Sequence, residues 1–285
     1  MSDYRKIKKS LKSVATMEGA GVHLNRAFGY HNVPDFDPFL LLDDFRSKDP
    51  KYYSKGFPWH PHRGIETVTY VLDGYVNHED SIGNKGIIGP GDTQWMTTGS
   101  GILHQEMPKG NDNGIMGGFQ LWVNLPSAEK MSSPCYREVK SKEMPDVLLE
   151  SGVKIKIICG GIEEINGPIT NISVKPEFLD VYIPENSKFI HPTKPDRNVF
   201  AYVIQGKARF DPDSENNFGN EELLLYEKGS NIEINTSGNP VRFLLISGQP
   251  LSESIAWRGP IVMNTQEEIQ VAFEEYHKGT FIKDK

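Results

Sequence analysis

Cysteine is almost missing from this chain: Cys135 and Cys159 are the only two in 285 residues. They form no C-x-x-C pair, and no secretory signal precedes them. Both are therefore expected to stay thiols in a reducing compartment, cytoplasmic and, in a eukaryote, nuclear as well. Long apolar runs are lacking too, so nothing is expected to span a bilayer. Excess positive charge is absent: the net charge is -7, which gives no global footprint for nucleic acid or an acidic membrane surface. The one basic stretch, Arg5, Lys6, Lys8, Lys9 and Lys12, is followed by no apolar segment. It reads as a solvated first segment, with a localisation or docking patch as the alternative.

What is present is punctuation. Twenty-seven glycines and 19 prolines are scattered evenly, as short strands joined by tight turns require, so the class is all-β, a sandwich or barrel. Strands are predicted at 22–26, 39–42, 66–72, 75–79, 93–97 and 117–125. Turns fall at Asp73-Gly74, Gly83-Asn84-Lys85-Gly86 and Pro90-Gly91-Asp92. The polar stretch 126–145 holds the best domain boundary, dividing the chain into 1–138 and 139–285. Across it runs a weak repeat, Tyr70-Val71-x-x-Gly74 against Tyr202-Val203-x-x-Gly206. A short helix closes the chain: Thr265-x-x-Glu268 is a capping box, Ile269, Ala272, Phe273 and Tyr276 share one face, and Gly279 is the stop.

The chemistry gathers between Phe57 and Met107. Residues i and i+2 of a strand share a face, so His60 points with His62, and His104 with Glu106. Three neutral imidazoles and a carboxylate suit one divalent first-row metal: iron, manganese, nickel, copper or zinc. Pro61, lacking an N–H, favours an edge strand and thus an accessible site. Glu66 competes with Glu106 for the fourth position. It lies four residues past His62, roughly 13 Å along a straight strand, against under 7 Å from His104 to Glu106. Glu106 is the preferred ligand, and Glu66 an acceptor for a ligand's N–H. His78 and Glu79 read as exposed strand or loop residues.

Around this centre Phe57, Trp95 and Met96 are candidates for an apolar pocket wall, with Trp122 as wall or core. Arg63 and Gln120 are candidates for orienting a substrate. Trp59, just before the first histidine, is expected to narrow the pocket mouth.

The motifs H-P-H-R-G-x-E-T-V-T-Y, P-G-D-x-Q-W-M-T and G-x-G-I-L-H-x-E-M-P resemble the pirin branch of the cupin superfamily. So do Gln120–Leu125 and Gly259–Thr265, and the likeness covers nearly the whole chain. It implies a bicupin, two antiparallel β-barrels of jelly-roll type packed face to face, with metal only in the first. It also implies iron, as Fe(II), on His60, His62, His104 and Glu106, with Glu66 not a ligand. Two activities are implied within the family. One is a dioxygenase cleaving a flavonol such as quercetin with O2; in such a reaction Glu106, if it loosens from the metal, is the candidate general base. The other is a non-enzymatic, redox-sensitive iron module that docks a regulatory protein. A metal-dependent isomerase or a vestigial storage-type cupin is a third. A monomer is expected, because two fused barrels bury each other's faces.

Overall fold

A computed structural model describes residues 4–283, which divide into two compact units. The expected strand periodicity is realised. In the first half the strands are β1 (Ile7–Lys12), β2 (Val14–Glu18), β3 (Val22–Phe28), β4 (Phe39–Asp44), β5 (Phe57–His62) and β6 (Ile65–Asp73). They continue with β7 (Tyr75–Asp80), β8 (Lys85–Ile88), β9 (Thr93–Thr97), β10 (Ile102–Lys109), β11 (Gly117–Asn124) and β12 (Cys135–Val139).

The first unit comprises residues 14–33, 39–141 and 251–285. Its seven-stranded sheet runs β12-β9-β6-β11-β4-β3-β2, and a four-stranded sheet runs β5-β10-β7-β8, all antiparallel. Burial alternates along β10, where Ile102, His104, Glu106 and Pro108 are the buried set. Val22, Leu24, Val71, Val76, Ile88 and Met116 pack as one apolar cluster within this unit. β5 is the sheet edge, which tolerates Pro61 because the missing N–H needs no ladder partner there.

The second unit comprises residues 1–13, 34–38 and 142–250. β1 adds to an eight-stranded antiparallel sheet by pairing with Glu222–Tyr226. The interior is filled by Ile155, Leu179, Val181, Val199, Phe210, Phe243 and their neighbours. His191 is buried here, with Nε2 3.1 Å from both oxygens of Glu177. The repeat is visible in backbone conformation: Gly74 and Gly206 both sit at positive φ, 71° and 75°, where a side chain is strained.

The cut near residue 138 falls close to the unit change at Ser141, but the ends depart from the sequence division. Residues 1–13 belong with the second half and residues 251–285 with the first. Alternation along a strand marks its faces and is silent about which sheet it joins.

The helix α1 (Gln266–His277) forms as its caps foretell: Thr265 Oγ1 accepts from Glu268 N at 3.2 Å, and Gly279 has φ 71°. Ile269 and Ala272 bury against Ala256, Ile261, Met263 and Phe281. The strap made by Ala256–Arg258 and Ile261–Met263 is fastened to the end of β5. Val262 N donates to Arg63 O at 3.1 Å. The buried Lys130 ammonium donates to Gly64 O, Asn124 Oδ1 and Val262 O at 2.8, 2.6 and 3.0 Å. Gly64, at φ 77°, lies so close to Val262 O that no Cβ fits.

Candidate metal centre

β10 carries His104 and Glu106, with β5 on one side and β7 on the other. His104 stands opposite His60, and a register shift follows before Glu106 meets Phe57. The donor atoms of His60, His62 and His104 all lie within 4.8 Å of one another. Their ring centroids are 4.3 to 4.9 Å apart.

Hydrogen bonds fix the tautomers of two of these rings. His60 Nδ1 is 2.8 Å from Pro58 O, and His62 Nδ1 is 3.0 Å from Pro260 O. A carbonyl only accepts, so Nδ1 carries the proton and Nε2 presents a lone pair. The two Nε2 atoms face each other at 3.1 Å. Two lone pairs at that distance repel unless a cation lies between them. Two nitrogens each ~2.1 Å from one ion, at a right angle, stand about 3.0 Å apart. His104 strengthens the case: it is fully buried, and neither ring nitrogen has a hydrogen-bond partner among the described residues. Buried polar atoms are rarely orphaned without a reason. Burial holds all three imidazoles below the usual histidine range, His62 and His104 well below it, with neighbouring imidazoles adding to the effect at each. They are neutral at pH 7, as ligation requires. The residues fit a divalent metal.

Glu106 is buried on the same face, and the Thr69 hydroxyl lies 2.9 Å from its Oε1 and 2.6 Å from Gln120 Oε1. The hydroxyl has one proton, and the anionic carboxylate is the stronger acceptor.

His78 was read from the sequence as exposed, and the structure corrects this. It is buried opposite Glu106 in the β10–β7 ladder, and its donor atoms lie within 4.8 Å of those of His104 and Glu106. Gln94 Nε2 is 2.8 Å from its Nδ1, and Tyr136 stacks on its ring at 4.9 Å. The available signal was parity with Val76: positions 76, 78 and 80 are the buried set of β7.

A cavity of about 690 Å³ opens onto His60, His62 and Glu106. Phe57, Gln120 and Trp122 line it, and Trp122 meets His62 edge-on at 5.0 Å. Trp59 is 47% exposed at its wall. Arg63, Trp95 and Met96 are not among its lining residues. Arg63 instead turns to the C-terminal segment, with Nη2 2.9 Å from Phe281 O and Nη1 2.8 Å from Glu275. Trp95 pairs with Val68, on the face of β6 away from Thr69, and Met96 is fully buried. Sequence reading also missed Trp257 and Pro260, which reach this cavity from the strap. No local pattern marks them, because their place depends on the return of a distant segment.

Glu66 departs from the expected role. It lies on the Val68 face of β6, one residue out of phase with Thr69, and accepts from Thr97 Oγ1 at 2.8 Å. Burial raises its carboxyl above the usual range. Glu66→Gln is therefore expected to change metal affinity less than twofold in a chelator competition. A group hydrogen-bonded to a ligand typically costs ~10–100-fold when removed.

Antiparallel sheets presenting three imidazoles and a carboxylate over a cavity define a cupin-type metal-binding fold. The chain matches the Pirin domain over residues 21–123 and the Pirin C-terminal cupin domain over residues 178–282. It belongs to the pirin family. It is 41% identical over 278 residues to a pirin-like protein of Caulobacter vibrioides, covering 97% of this chain and 99% of that one. Human pirin is 37% identical over 279 residues, covering 97% and 93%. A crystal structure of quercetin 2,3-dioxygenase from Acinetobacter baumannii superposes with a TM-score of 0.87 at 30% identity, covering 98% of both chains. The Escherichia coli pirin YhhW in complex with nickel(II) shares the fold, with TM-score 0.65, 20% identity and coverage of 85% and 98%.

Proposed function

We propose that the chain is a metal-dependent dioxygenase that cleaves a flavonol such as quercetin, with His60, His62, His104 and Glu106 holding iron. One observation carries this reading: the cavity reaching the histidines is walled by aromatic rings. Trp122 and Trp257 lie 5.8 Å apart, and Tyr30 meets Trp257 at 5.5 Å. Rings prefer offset or edge contacts at such distances, and a flat polyphenol offers the matching surface. Likeness to a quercetin 2,3-dioxygenase over the whole chain supports it.

When bound, the metal supplies Lewis acidity toward a substrate hydroxyl and an electron partner for dioxygen. The protein side of the reaction belongs to named residues. Glu106 would hold the metal through one carboxylate oxygen and, where that bond loosens, accept the substrate hydroxyl proton there, while Thr69 holds Oε1 in place. Pro58 and Pro260 carbonyls hold His60 and His62 in the ligating tautomer. Trp122 and Phe57 give the histidine side of the cavity an apolar lining.

Anaerobic metal analysis followed by oxygen uptake with quercetin tests the reading. Near-stoichiometric iron and uptake that vanishes in His104→Ala are expected. Bound iron without uptake would move the function to the regulatory module. That alternative loses its electrostatic motive: Lys6, Lys8, Lys9 and Lys12 are each ion-paired, to Asp213, Asp35, Asp35 and Glu221. Arg5 is buried, with its guanidinium on Thr193, Lys194 O and Glu227 O.

A further inference from the structure

Four residues on adjacent strands stand directly opposite one another: Thr69 faces Gln120, Gln120 faces Asp43, and Asp43 faces Arg26. Cross-strand partners share a face, so they form one polar row across the sheet. Three inter-strand gaps of ~4.8 Å put the last member about 14 Å from the first. All four line the cavity. One end is the metal end, where Thr69 bonds Glu106.

At the other end Arg26 Nε and Nη2 donate to the two oxygens of Asp43 at 2.8 and 2.7 Å, and Nη2 lies 3.0 Å from Glu18 Oε1. Among the described residues lining the cavity, Arg26 is the one Lys or Arg. Two carboxylates hold it, so this end is net negative. A carboxylate has about four acceptor sites and no donor. The cluster therefore repels a further anion and has acceptor sites left for hydroxyls.

We propose that Glu18, Arg26 and Asp43 form a recognition subsite for uncharged hydroxyls at the end of the substrate remote from the metal. The proposal rests on the flavonol reading and refines it. The substrate is anionic only where it meets the metal, and its far ring carries hydrogen-bond donors and no carboxylate or sulfonate. Glu18 and Arg26 set this preference, and neither touches the reacting atoms.

The test is equilibrium binding by tryptophan quenching on the zinc-loaded full-length protein under nitrogen. The probes are quercetin, galangin (the same flavonol without hydroxyls on its pendant ring) and quercetin 5′-sulfonate. Quercetin is expected to bind about 10-fold tighter than galangin, and the sulfonate at least ~10-fold weaker than quercetin, since a site built for hydroxyls discriminates against analogues lacking them. In Glu18→Gln, a near-isosteric change at a half-exposed position, the sulfonate penalty should shrink several-fold. Equal affinity for quercetin and galangin, with the sulfonate bound as well, overturns the subsite and leaves the flavonol reading standing. Failure of all three to bind removes the flavonol reading, and the subsite with it.

Discussion

His104→Ala is expected to lower divalent-metal affinity by at least ~100-fold, more than the ~10–100-fold typical of losing a group behind a ligand. Stability will separate this from simple misfolding. In the metal-free protein the two ring nitrogens of His104 are buried and find no partner among the described residues. Removing them relieves a desolvation cost that partly offsets the cavity left behind. The metal-free variant should therefore melt close to the metal-free parent. Metal at about 100 times its Kd should stabilise the parent by ~2.7 kcal/mol, and His104→Ala by no more than ~0.4 kcal/mol at that concentration. Calorimetric scans with and without metal read both effects. A variant stabilised as much as the parent would remove His104 from the ligand set.

Lys130→Met should destabilise the fold by ~3 kcal/mol or more, because three buried acceptors lose their donor and each orphan costs ~1–3 kcal/mol. Gly64 O, Asn124 Oδ1 and Val262 O are those acceptors. A denaturant titration measures the loss, and a change below 1 kcal/mol would show that the strap does not depend on this clamp. The effect has a pH signature. Burial pulls the lysine pKa down to about 7, against about 10.4 for an unperturbed lysine. Between those values the unfolded chain binds more protons than the folded one, so stability rises with pH across that window. The parent should gain on Lys130→Met from pH 7 to 10. Metal affinity should fall in the same variant, since Val262 belongs to the strap that presents Pro260 O to His62.

Much of the architecture was legible because strand periodicity and turn chemistry are local. The strand 93–97 and the helix after Thr265 emerge where the residues put them. The i, i+2 pairs that point His60 with His62 and His104 with Glu106 were legible for the same reason, as was the edge position of Pro61. What failed was non-local. Arg63 looks like a pocket residue beside His62, yet one step along the strand turns it to the opposite side, against Phe281 and Glu275. Glu66 shares parity with His62 in the sequence, but Gly64 at φ 77° interrupts the strand between them and resets the phase. His78 was dismissed because nothing in its own neighbourhood reveals that β7 pairs with the ligand-bearing strand.

The placement of residues 251–285 with the metal-bearing unit has a consequence for synthesis. Pro260 and Trp257 are made after every strand of the second unit. At ~5–20 residues per second, the ribosome finishes β1 to β12 many seconds before it delivers the carbonyl that sets the His62 tautomer. Until then the nascent histidines share a half-built pocket. A chain truncated before Leu251 would lack both the Pro260 carbonyl on His62 and the Trp257 wall of the cavity, and so could not complete the site.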